Sequence, residues 1–181
     1  MIYRNLFFVA LYLILSLTAG CSDTRNSSTM NVPGATDITW LTYANTALGF
    51  SLNYPDSYAV LEGVSSLRKG GPRPIYRVFF QDKDLVSSQV ADLEPPQFSI
   101  EIFELPPKIP YKDWLQQKGM IPLHSEVEVF PIADRSGLKV TLRQRIAPRQ
   151  FVVVEKGGLI FRFTLLGLHS AAMLNSFRFS N

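Results

Sequence analysis

From residue 98 to residue 165, apolar and polar side chains alternate with a period of two in one stretch after another. Phe98, Ile100 and Ile102 alternate with Ser99 and Glu101, and the phase slips near Phe103, the mark of a bulge or of the strand's end. Val127 and Val129 alternate with Glu126 and Glu128, and Leu138, Val140 and Leu142 with Lys139, Thr141 and Arg143. Gln150–Glu155 leads through Lys156-Gly157-Gly158 into Leu159, Phe161, Phe163 and Leu165. Two strands about a Gly-Gly pair predict a tight hairpin, because glycine accepts the positive φ that primed turns need. Earlier, Phe50, Leu52 and Tyr54 alternate with Ser51 and Asn53 until Pro55-Asp56 stops the run. Such a pattern commits the chain to antiparallel sheet with few helices.

The helices expected are two. Pro110–Gly119 carries proline at its start, glycine at its end and one apolar stripe of Tyr111, Trp114 and Leu115. Ser170 is placed to cap Ala171–Asn175, and a short strand, Phe177-Arg178-Phe179, follows. The fold class is therefore α+β: a single domain with a central, mainly antiparallel sheet covered by one or two helices. Pro95-Pro96 and Pro106–Pro110 read as rigid loops around the strand between them.

The first part of the chain has a different composition. Arg4 is the one charge before Asp23, and Leu6–Leu17 is apolar except for Ser16. As a helix these twelve residues span about 18 Å, short of the roughly 30 Å hydrocarbon core, so the run reads as an export signal and not as a membrane span. It ends at Ala19-Gly20-Cys21, where small residues precede the chain's one cysteine. One cysteine excludes an intramolecular disulfide and a cysteine-based zinc site. Residues 22–37 are rich in Ser, Thr, Asn, Gly and Pro and would reach roughly 20–25 Å as a flexible coil. The expected organisation is a signal at 1–20, a tether at 21–37 and one domain at 38–181.

The segment ending Ala19-Gly20-Cys21 resembles a bacterial lipoprotein signal with its lipobox, with Thr18 where Leu is commoner. The resemblance implies a diacylglycerol on the Cys21 sulfur, cleavage before Cys21, and a membrane anchor. Ser22 follows Cys21, with Asp23 one place later. That implies the outer membrane, facing the periplasm, for a Gram-negative source.

Two further pieces occur in a familiar order: Tyr43-Ala44-Asn45 followed by Gly49-Phe50-Ser51-Leu52-Asn53-Tyr54-Pro55-Asp56-Ser57-Tyr58, and Met173-Leu174-Asn175-Ser176-Phe177-Arg178-Phe179. Together they are similar to the PsbP-like family, with Tyr58 where Trp is usual. The resemblance implies an α/β sandwich and a non-enzymatic binding or assembly protein. It transfers no functional residue, because the matching pieces are structural: one ends a strand and the other fills a core.

Chemistry is thinly signalled. The chain has no nucleophile elbow, P-loop or dinucleotide fingerprint, and implies no cofactor. His124, Glu126 and Glu128 stand at period two and could offer imidazole and carboxylate to a divalent metal, although on one strand they spread over about 13 Å. The bland alternative is a solvated polar strand face. His124 and His169, with the acidic strand, are the whole case for an envelope hydrolase.

Charge is uneven: residues 78–134 carry net −6 and residues 135–162 net +6. Lys139, Arg143 and Arg145 share one strand parity, and Arg162 extends the set toward a surface for an anionic envelope component or acidic protein face. The alternative is an ordinary solvated outer face. The total charge of +3 is mild and the chain reads as exported, so nucleic acid is excluded as a partner. The expected function is a membrane-anchored, non-catalytic binding or assembly module, with a ligand or metal carrier as the alternative.

Overall fold

The computed structural model describes residues 38–63, 71–87, 95–142 and 149–180. Among these residues ten strands and three short helices follow one another: β1 (Trp40–Asn45), β2 (Phe50–Pro55), β3 (Tyr58–Glu62), β4 (Tyr76–Asp82), α1 (Lys83–Val86), β5 (Phe98–Glu104), α2 (Tyr111–Gln117), β6 (Glu126–Ile132), β7 (Arg135–Leu142), β8 (Arg149–Lys156), β9 (Leu159–Leu165), α3 (Ser170–Ser176) and β10 (Arg178–Phe179). All of them lie in one compact unit, Asp37–Asn181. Every strand pairing is antiparallel. Seven strands form a sheet in the order β3-β4-β5-β9-β8-β7-β6, and three form a small sheet in the order β1-β2-β10. Among the described residues no helix is long and apolar enough to cross a membrane.

The β8–β9 hairpin turns at Gly157 and Gly158, with φ of +61° and +78°. Positive φ at both central residues is the requirement of a type I′ turn. Lys156 pairs with Leu159 directly across it. α2 ends as its glycine predicts. Gly119, at φ +64°, donates to the Gln116 carbonyl, and Met120 donates to that of Leu115, both at 2.9 Å, which is a Schellman closure. Pro110 is the N-cap of α2 and not a residue of its first turn.

The large sheet is covered on both faces, and its central strands bury side chains of both parities. On one face Val78, Phe80, Phe98, Ile100, Ile102, Val152, Val154, Phe161 and Phe163 pack under the small sheet and α3. On the other, Phe103, Leu138, Val140, Phe151, Val153 and Ile160 pack under Trp114 and Leu115 of α2. Of the two readings of the slip near Phe103, the bulge is not found and the strand's end is, one residue on at Glu104. β5 runs on to Glu104 in continuous pairing with β9, and Phe103 points into the second core.

The two pieces that carry the PsbP-like resemblance meet in space. β10 pairs with β2, Phe179 opposite Phe50 and Arg178 opposite Ser51. Phe177 is fully buried, stacked on Phe50 at 5.7 Å and edge-on to Phe163 at 4.8 Å. Just before β10 begins, Ser176 of α3 extends the contact with β2: its Oγ accepts the Asn53 N–H at 2.8 Å. Ser170 is not the cap of α3. His169 is, without a side-chain bond, while Ser170 is the first helical residue and is buried. Its hydroxyl donates to the Gln97 carbonyl at 2.8 Å and pins the helix to the entrance of β5.

Candidate functional site

The charged residues proposed as one surface are not all on one face. Lys139 pairs across β8 with Val152, on the face of the small sheet, and its Nζ reaches Glu128 Oε1 at 2.8 Å. Arg162 has the opposite parity, aligned with Val153 and Glu101. Arg143 and Arg145 lie outside the described residues, as does Cys21.

Arg162 belongs instead to a buried ionic cluster. Glu101 of β5 sits between Arg77 of β4 and Arg162 of β9, each directly opposite it across a strand pairing. Its carboxylate takes Arg77 Nη2 on Oε1 at 2.5 Å and Arg162 Nη2 on Oε2. Both guanidiniums also lie over aromatic rings, Arg77 over Phe79 at 5.4 Å and Arg162 over Phe103 at 5.6 Å and Phe151 at 5.9 Å. Glu101 keeps only 6% of its surface. Burial of this kind ties three neighbouring strands to one register, since a slip of one residue would turn the carboxylate to the opposite face. In the sequence Glu101 stands with Ser99 on the polar parity of an alternating run, so its burial has no local signal.

The proposed metal ligands do not converge. His124 stands exposed in the turn before β6 and not on the strand, so it does not share the face of Glu126 and Glu128. Glu128 is engaged by Lys139. Among the described residues no group of three His, Cys, Asp or Glu could hold a metal. The two histidines do not form one pair either. His124 precedes β6, at one edge of the large sheet, and His169 packs against Tyr58 of β3, at the other.

Two further polar arrangements join layers. Tyr43 of β1 donates its hydroxyl to Glu62 Oε1 at 2.7 Å, so the Tyr76 hydroxyl, 2.7 Å away, donates to Tyr43. Burial, followed by these two bonds, raises the Tyr43 phenol well above its ordinary range. At the end of the molecule where β1 begins, His169 packs edge-on to Trp40 at 6.1 Å and against Tyr58 at 6.0 Å. Burial, and then Asp82, raises the Tyr58 phenol. Leu168, beside His169, is almost fully exposed.

No family model and no curated protein matches the chain. Among solved structures it is similar to the solution structure of cyanobacterial PsbP (CyanoP) from Synechocystis sp. PCC 6803. The two are 13% identical, over 81% of this chain and 95% of that chain, with a TM-score of 0.42.

Proposed function

We propose that this protein is an envelope lipoprotein, exported and held to the membrane through a lipid on Cys21. Its PsbP-like domain serves as a non-catalytic binding or assembly module. The observation that carries the reading is the position of the chain's one cysteine. It closes a twelve-residue apolar run directly after Ala19-Gly20, ahead of a polar tether and a folded domain. An acyl anchor with more than one chain holds a protein stably at a membrane, and the tether leaves the domain free to meet a partner there. For a Gram-negative source the membrane is the outer one, and the domain faces the periplasm.

The partner face draws on Lys139, Arg143 and Arg145, with an acidic protein surface or an anionic envelope component as the complement. Arg162 is committed to Glu101 and is left out of it.

The test is in-cell cross-linking of the full chain, followed by solubilisation of the membranes and identification of what co-purifies. One recurring partner, lost from the Cys21→Ala protein, is expected. A bound metal or small molecule on the purified protein, with no recurring partner, would replace this reading by the carrier.

A further inference from the structure

The exposed apolar side chains of the described residues fall mainly into two groups. Leu123, Val127 and Val129 flank the outer edge of the large sheet. Val127 and Val129 alternate with the exposed Glu126 and Glu128, which project from the opposite face of the same strand. The second group comes from the start of β1 and from the β9–α3 loop. Ile38 is 42% exposed, Trp40 39%, Leu166 45% and Leu168 89%. The edge-on packing of Trp40 with His169 joins the start of β1 to the β9–α3 loop, so the two short segments form one surface. Beneath it the loop is rigid: Leu166 and Gly167 both donate to the Gln97 carbonyl, at 3.1 and 2.7 Å. A single exposed leucine is ordinary, whereas several apolar side chains gathered on one surface mark an interaction site.

We infer that this end of the domain lies in the lipid–water interface of the membrane, with Trp40 and Leu168 entering it. The inference rests on the anchored reading above. The position of the patch points to the bilayer: Ile38 is where the chain arriving from the tether enters the domain. Residues 22–37 reach roughly 20–25 Å from Cys21, so an anchored chain delivers this end, before any other, to the bilayer. The residue types fit the same place. Tryptophan concentrates at membrane interfaces, where its ring body is apolar and its N–H stays wet, and the leucines add apolar area beside it. Asp56, whose N–H is bonded to Thr39 O, is exposed nearby and marks the rim. Insertion is therefore shallow, apolar in origin and independent of anionic headgroups.

The chain's own tryptophans supply the probe. Only two are present, and Trp114, in α2, is buried against the large sheet. The full chain carrying Trp114→Phe is reconstituted into phosphatidylcholine vesicles with or without brominated acyl chains. Flotation reports anchoring, and Trp40 emission reports docking. Brominated chains are expected to lower Trp40 emission roughly two-fold or more, and Leu168→Asp to abolish most of that loss while flotation persists. Protein that floats with Trp40 unquenched overturns the docking and leaves the anchor standing. Shielding of Trp40 from aqueous iodide without quenching by bromine also overturns it, and assigns the patch to a protein cover. Quenching in a Cys21→Ala protein that still floats supports the docking and overturns the lipid anchor. Failure of the parent protein to float overturns both.

Discussion

Glu101 shows how one side chain can be worth more than its neighbours. Two guanidiniums converge on it inside a sheet, so its removal strands buried charge. Glu101→Gln keeps the shape and removes the charge, and is expected to lower stability by about 3–5 kcal/mol. The pair Lys139–Glu128, with a half-buried lysine and an exposed carboxylate, is the control, since an ion pair open to water contributes about 0–1 kcal/mol. Urea midpoints of the full chain measure both, and equal shifts would refute the distinction. In the sequence Glu101 looked like one more polar residue of an alternating strand. Nothing local reveals that Arg77 and Arg162 would face it from either side, because strand pairing is set by contacts 24 and 61 residues away. Arg162 misled for the same reason: a basic residue between Phe161 and Phe163 reads as solvated until the second face of the sheet is known to be covered.

Among the elements, those with strong local signals were legible. The β8–β9 hairpin follows from Gly157-Gly158, and α2 from its proline, glycine and apolar stripe. β1, β3 and β4 were not legible. β4 has both parities buried, with Arg77 and Gln81 among the buried residues, so its alternation vanishes. β1 is an edge strand that is mostly exposed, and β3 is only five residues long. The β6–β7 hairpin also escaped notice, because it turns at Ala133-Asp134 with no glycine, Ala133 adopting φ +52°. The glycine that matters to this hairpin is inside a strand. A Cβ on Gly137 would stand 2.6 Å from the Val153 carbonyl oxygen, which is backbone of the neighbouring strand and cannot move aside alone. Gly137→Ala is thus expected to cost about 1–3 kcal/mol. Thermal unfolding of the variant beside the parent protein checks it, and an unchanged midpoint would mean that β7 and β8 part more easily than their pairing implies.

Across the whole molecule the layers share one vulnerability. Tyr43 belongs to the small sheet, Tyr58 to the large sheet and Tyr111 to the helix on the far face, and the fold raises all three phenols, chiefly through burial. In the unfolded chain each ionises near pH 10. Above that pH the unfolded state has released protons that the folded state still holds, so stability falls as pH rises. Below that pH the phenols are neutral in both states, and the contribution is fully present. The expected course is a flat urea midpoint from pH 7 to about 9, then a steady decline through pH 10 and above. Lysines lose their charge in the same window, so the parent protein alone would not assign the effect. Tyr43→Phe does. It removes a hydroxyl bonded to both Glu62 and Tyr76, which costs about 1 kcal/mol at neutral pH. It also removes one ionising group, and so should flatten the alkaline decline. Parallel declines in the parent and the variant would place the alkaline sensitivity elsewhere than in the hydroxyl bridge between the two sheets.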